Sequence, residues 1–157
     1  MIREFNNIKI SGMVAAVPKR SEHSDKYASI IGEKKLRRQQ KLTGVNERRI
    51  SGLFQRISDL SYAAGEEIIQ KLDWNREDIK VVVLATEAPD FMLPSTAMLL
   101  QKRLGIGLDA IVFDMRMGCA SLPFGVQVVS SLLKDGKVGD KALLFMGNPC
   151  NGLCDEY

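Results

Sequence analysis

The chain has a single histidine, His23, so a histidine pair or a histidine-rich metal cluster cannot be assembled from this sequence. It has three cysteines, Cys119, Cys150 and Cys154, an odd number that argues against a closed disulfide framework and for a reducing compartment. Cys150 and Cys154, spaced C-x3-C in a loop-like tail, have no second pair to complete a metal site, so no metal is expected. No apolar run reaches the roughly 18 residues that a spanning helix needs, and "MIREFNNIKI" has charges on both sides of Phe5 rather than a signal-peptide core. A cytoplasmic protein without a membrane partner is expected. With 45% hydrophobic and 26% charged residues the chain is neither disordered nor fibrous. Its 157 residues suffice for one domain with a real core, and are too few for two of ordinary size.

The net charge of +3 is modest but unevenly spread. "EKKLRRQQK" (33–41) and "ERRI" (47–50) concentrate cations in the first third. Such a run suits nucleic acid, an anionic cofactor or an acidic protein partner; a solvated helix face accounts for it as well. No nucleic-acid partner is expected from it.

Hydrophobic periodicity supplies the rest of the organisation. "IKISGMVAAVP" (8–18) reads as a first strand, and Ser24 or Asp25 as the cap of a helix with Tyr27, Ile30 and Ile31 on one face. "TGVNERRIS" reads as an irregular connection turning at Gly44. Leu60, Ala63, Ala64, Ile68 and Leu72 recur at helical spacing up to about Asp73. "VVVLAT" (81–86) is a β-branched run of the kind buried on both faces of a parallel sheet. "PSTAMLLQKRLG" reads as a helix capped by Ser95 and stopped at Gly105, with Met98 and Leu99 as core packing. "AIVFDM" (110–115) and "KALLFMG" (141–147) are strands. Between them a helix follows Cys119 to about Asp135, with Phe124, Val128, Val129, Leu132 and Leu133 inward. Alternation of this kind predicts an α/β fold with a mostly parallel sheet and helices on both faces.

Cys119 stands where a predicted strand gives way to a helix, after Gly118, which permits a sharp turn. A thiol attacks as its thiolate, and the amino end of a helix favours negative charge and offers N–H groups to an oxyanion. On local pattern, a nucleophile and a small apolar filler at a tight turn both remain open.

Three ordered motifs go further. "LTGVNERRI" (42–50), "VVVLATEAPDFMLPSTAMLLQKRLG" (81–105) and "VFDMRMGCASLPFGVQ" (112–127) carry T-G-[IV]-x-E-R-R, A-T-x-x-P-D…P-S-[TA]-A and F-D…C elements. Together they resemble the β-ketoacyl-acyl-carrier-protein synthase III family of thiolase-like condensing enzymes, in order over about residues 8–157. The resemblance implies a single amino-terminal thiolase-like domain over 1–157, with the second half, bearing a histidine and an asparagine, absent. It implies that Cys119 accepts an acyl group from a coenzyme A or carrier-protein thioester, before condensation with malonyl-acyl carrier protein. No cofactor beyond the thioester substrate is implied. Lacking the second half, the chain is expected not to complete the condensation; a non-catalytic half-fold that binds a partner chain or carrier protein is the alternative. His23 matches neither missing residue and is expected at the surface or at a cap.

Some positions depart from the family pattern. Ser121 replaces the usual glycine two residues after the cysteine, where it would narrow the approach to the helix or fill acyl space. Arg116 replaces a small residue and must reach solvent or a carboxylate. Arg38 and Leu42 occupy the positions of the tryptophan and arginine that sandwich adenine in priming enzymes, so the paired clamp is absent although Arg38 can still stack on a base. Arg38, Thr43 and Leu93 are the implied substrate-contacting residues, Leu93 aligning with a bulky residue that reaches the partner's acyl pocket. The family's homodimer pairs the strand equivalent to 110–115 across a two-fold axis.

Overall fold

The computed structural model describes residues 4–149. They fall into two compact units, one of residues 4–16 and Arg56–Asn148, the other of Val17–Gln55. Cys150 and Cys154 lie outside the described residues.

The larger unit is built on β3, Ile79–Ala85, six of whose seven residues are buried. It pairs in parallel with β4, Ile111–Met115, on one side and with β5, Lys141–Met146, on the other, Val81 standing opposite Ile111 and Ala142. Val82, Leu84, Leu143 and Phe145 face α3, Ile57–Lys71, and α4, Thr96–Arg103, in one apolar cluster with Ile57, Ile69, Ala97, Leu100 and Leu104. Each such side chain contributes about 1.5–3 kcal/mol relative to exposure. Helix α5, Ser121–Leu133, packs on β3 and β5 from the other face. Helices thus cover both faces of a parallel sheet, as periodicity predicts.

Contacts distant in sequence move several details. Residues 8–18 form no strand: around Gly12 the segment lies against α3, where a Cβ on Gly12 would be 3.4 Å from Leu72 and 3.7 Å from Ile68. The Leu60–Leu72 stripe is only partly buried, while the stripe of α3 that is fully buried is Ile57, Ser58, Ser61, Gly65 and Ile69. On α5 it is Ser121, Gly125 and Ser130 that are buried, and Phe124 is half exposed. The reason is close approach: a Cβ on Gly125 would come within 3.0 Å of the Leu144 side chain, so a large residue cannot occupy that face. Met98 on α4 is likewise 49% exposed, the inward positions being Thr96, Ala97 and Leu100. β5 is no exposed apolar strand, since Leu143 and Phe145 are buried in it.

Arg76, in the turn before β3, donates to both carboxylate oxygens of Glu66 on α3, each at 2.9 Å, and to the carbonyl of Leu104 at the end of α4. The bond from Arg76 holds the Glu66 carboxyl below its ordinary range. A depressed carboxyl stabilises the fold above the unfolded pKa, and that stability is lost as pH falls through the folded value. Glu66→Gln should therefore cost about 1 kcal/mol at neutral pH and flatten the acid limb of a stability-versus-pH curve measured by urea unfolding.

In the smaller unit β1, Arg20–His23, pairs antiparallel with β2, Glu47–Ile50, so residues 47–50 are a strand rather than an irregular connection. The E-R-R element supplies the reason. Arg48 bonds Glu22 and the Tyr27 hydroxyl, Arg49 donates to the Lys19 carbonyl at 3.1 Å, and Glu47 lies 3.8 Å from His23. Instead of one helix after Ser24 there is a 3-10 turn, Ser24–Tyr27, a short α1, Ala28–Ile31, and α2, Glu33–Thr43, separated at Gly32 with φ of +82°. Lys34, Lys35, Arg37, Arg38 and Lys41 all lie exposed on α2, whose one buried residue is Leu36. Gly44, at φ +70°, ends the helix by donating to the Gln40 carbonyl.

Candidate active site

The carboxyl ends of the three parallel strands converge at one edge of the sheet. Thr86 N–H donates to the Met115 carbonyl at 3.1 Å, and Gly147 N–H to that of Ala85 at 3.2 Å. Chain order β3, β4, β5 becomes spatial order β4–β3–β5, so the β3–β4 and β4–β5 connections run in opposite directions across the sheet. Crevices at such strand ends are where open α/β sheets place ligands.

Cys119 stands at this edge. β4 ends at Met115, and Gly118–Ala120 form a single 3-10 turn that runs directly into α5. Gly118 has φ of +51°, a conformation that L side chains adopt at a cost, so the glycine before the cysteine is there for the backbone. The Cys119 thiol is free and exposed. No side chain caps the first turn of α5; within that turn the Ser121 N–H donates to the Gly118 carbonyl and Pro123 has none, so what the helix offers an anion there is the positive end of its dipole. Ser121, the first residue of α5, is buried, and so takes up space at the base of the turn.

The loop from β3 to α4 faces the cysteine turn. Glu87, its second residue, accepts the Gly118 N–H on Oε1 at 2.6 Å. Asn148, just past β5, holds that loop: its Oδ1 accepts from Thr86 Oγ1 at 2.9 Å and from the Glu87 N–H at 2.8 Å. Arg116 reaches the surface and donates to the Met92 sulfur at 3.4 Å, which resolves the charge expected to need solvent or a carboxylate. Sequence reasoning did not single out Glu87 or Asn148. Glu87 falls at a variable position of its motif, and nothing local ties Asn148 to a strand end 62 residues earlier.

Other motif residues prove to be braces. Asp114, the aspartate of the F-D element, accepts the Thr96 N–H on Oδ2 at 2.7 Å and the Ala97 N–H on Oδ1 at 2.8 Å. It therefore caps α4, the role expected of Ser95, whose side chain makes no cap bond. Asp90 accepts the Ser58 N–H at 3.3 Å at the start of α3, while its own N–H donates to Thr96 Oγ1 at 3.0 Å. Leu93, in the same loop, is 87% exposed.

Arg38 and Thr43 belong to the other unit. Arg38 is exposed on α2. The Thr43 hydroxyl donates to the Gln39 carbonyl at 2.9 Å and accepts the Val45 N–H at 3.2 Å, shaping the helix end. His23, on β1, precedes the 3-10 turn without a side-chain cap bond and is exposed. Among the described residues no three His, Cys, Asp or Glu side chains are placed to hold a metal ion, and no helix is long and apolar enough to cross a membrane.

The chain is 32% identical over 154 residues, 94% of its length, to a Campylobacter jejuni protein provisionally named 3-oxoacyl-[acyl-carrier-protein] synthase 3, of which it covers 42%. The crystal structure of a 3-oxoacyl-(acyl-carrier protein) synthase from Burkholderia xenovorans superposes with a TM-score of 0.77 at 28% identity, over 85% of this chain and 38% of that one. Xanthomonas campestris OleA, at 20% identity and a TM-score of 0.78 over 92% of this chain and 46% of that one, shares the fold. The chain thus spans less than half the length of each of these relatives. No protein-family profile matches it.

Proposed function

This chain belongs to the β-ketoacyl-acyl-carrier-protein synthase III family and spans part of its thiolase-like α/β fold, and from that premise we propose that Cys119 is the acceptor in an acyl transfer from a thioester. The observation that carries the reading is a free, exposed thiol on a glycine-led turn between a parallel strand and an uncapped helix amino end. The Cys119 thiolate attacks the thioester carbonyl carbon and forms a C–S bond. The oxyanion develops toward the amino end of α5. Collapse breaks the original C–S bond, and the departing thiolate takes up the proton that Cys119 gave. Acyl-coenzyme A and acyl carrier protein are the proposed donors, with no further cofactor, in the cytoplasm. Leu93, Arg38 and Thr43 are proposed substrate contacts. A homodimer is proposed through β4, which among the described residues ends the sheet with one side unpaired.

Acyl loading is the step we assign to this chain. Incubation with acetyl-coenzyme A, and in parallel with an acetylated carrier protein, should add one acetyl group that maps to Cys119 by peptide mass. An adduct on another residue, or no adduct from either donor, would overturn the assignment.

A second reading is favoured by one surface. Leu122 and Val126, one turn apart on α5, are 54% and 37% exposed, an apolar strip open to a partner chain. A half-fold that only binds would form a larger particle with that partner in light scattering and would take up no acyl group.

A further inference from the structure

We propose that Glu87 is a positioning residue, whose carboxylate fixes the Gly118–Ala120 turn and through it the direction of the Cys119 thiol. This inference rests on Cys119 as acyl acceptor for its functional consequence, but not for its structural one. The Gly118 N–H donates to Glu87 Oε1 at 2.6 Å, and a hydrogen bond to an ionised acceptor is stronger than one between neutral groups. It acts on the residue that most needs holding. Gly118 sits at φ +51° and a Cβ there would meet nothing within 4 Å, so neither side-chain packing nor a neighbouring wall confines the turn. The turn's own backbone bonds, Ala120 N–H to the Met117 carbonyl at 3.0 Å and Ser121 N–H to the Gly118 carbonyl, close it locally and do not tie it to the end of β3.

Glu87 is well placed to supply that tie because its own backbone is fixed. Its N–H donates to Asn148 Oδ1, which also accepts from Thr86, and Thr86 is buried with its N–H on the Met115 carbonyl. A continuous path therefore runs from β5 through Asn148 to the end of β3, through the Glu87 side chain to Gly118, and one residue on to Cys119. An acceptor 31 residues away in sequence does for this loop what a cap does for a helix. The group needed is an oxygen at that place, and a glutamine can provide it.

The test compares Glu87→Ala with Glu87→Gln in the intact chain, by two readouts. In amide NMR the Gly118 proton should be shifted downfield and protected from exchange. Glu87→Ala should lose about tenfold of that protection, the equivalent of about 1.4 kcal/mol, and Glu87→Gln should keep most of it. The rate of Cys119 acetylation by acetyl-coenzyme A should likewise fall about tenfold in Glu87→Ala and recover to within about threefold in Glu87→Gln, with the melting temperature unmoved. An unchanged Gly118 amide in Glu87→Ala would overturn the inference. So would a loss in Glu87→Ala that glutamine does not rescue, since charge rather than position would then be the requirement. A parent chain that is never acetylated would overturn the acyl-acceptor reading instead, leaving the Gly118 readout to decide the positioning role by itself.

Discussion

Asp114→Ala should lower the stability of the protein by about 2–4 kcal/mol, because it strips two charge-assisted bonds from donors that cannot turn to water. Thr96 and Ala97, whose N–H groups Asp114 accepts at 2.7 and 2.8 Å, are both fully buried. A lost exposed cap costs about 1 kcal/mol; here each unpaired N–H adds its own desolvation. Asp114→Asn keeps one acceptor oxygen and should cost roughly half as much. Ser95→Ala is the contrast. Ser95 stands at the cap position by sequence, but its hydroxyl is buried and finds no partner, so its removal should change stability by less than about 0.5 kcal/mol or improve it. Urea midpoints for the three variants check this. A larger loss in Ser95→Ala than in Asp114→Ala would return the cap to the serine. The acyl loading of Asp114→Ala, measured well below its melting point, should survive in proportion to the folded fraction, since Asp114 bonds α4 and not the cysteine turn.

The elements whose signal is carried by periodicity were legible within a residue or two. β3 is a β-branched run buried on both faces, and α4 stops at Gly105, which takes φ of +63°. What misled was the assumption that the apolar stripe of a helix is its buried stripe. On α3 the apolar Leu60–Leu72 stripe is only partly buried, meeting Gly12 at Ile68 and Leu72, and the close contact falls to Gly65, where a Cβ would meet Phe145 at 3.0 Å and Leu104 at 3.1 Å. Gly125 repeats the pattern on α5. Small residues permit the approach and carry little hydropathy, so a pattern built on hydropathy passes over them. The chain segment 8–18 has the composition of a strand but both neighbours of β3 are already taken, and composition cannot state where a partner lies.

The site divides in the same way. The thiol, the glycine before it and the helix after it are neighbours in sequence, so Cys119 could be proposed from the local pattern and its motif. Its supports could not. Glu87 reaches Gly118 and Asn148 reaches Thr86 only once three parallel strands end side by side. The motifs that carry the family resemblance also turn out to be mainly braces rather than chemistry: Asp114 and Asp90 cap helices, and Arg48 and Arg49 tie β2 to β1. A motif aligned by sequence marks residues that must stay, without saying whether they react or hold.

Cys119→Ala separates those two kinds of necessity most sharply: acyl loading should vanish while stability stays within about 0.5 kcal/mol of the parent. The side chain is exposed and belongs to no apolar cluster, so nothing in the core collapses around the missing sulfur. Cys119→Ser is the chemical control. It keeps a donor and nearly the same shape, but a hydroxyl ionises far less readily than a thiol and without an adjacent base is a poor nucleophile, so loading should fall more than about a hundredfold. Cys150 and Cys154 make the readout selective. If Cys119 is the acceptor, an acyl group delivered by a thioester should find no place on Cys119→Ala although two other thiols are present. Persistent acylation of Cys119→Ala at the parent rate would mean that the acceptor is another residue. The turn at Gly118 would then be a tight corner filled by a small side chain. The opposite pairing, loading abolished in Cys119→Ala and stability lost in Asp114→Ala, is the one expected of a reactive thiol standing on a scaffold of capped helices.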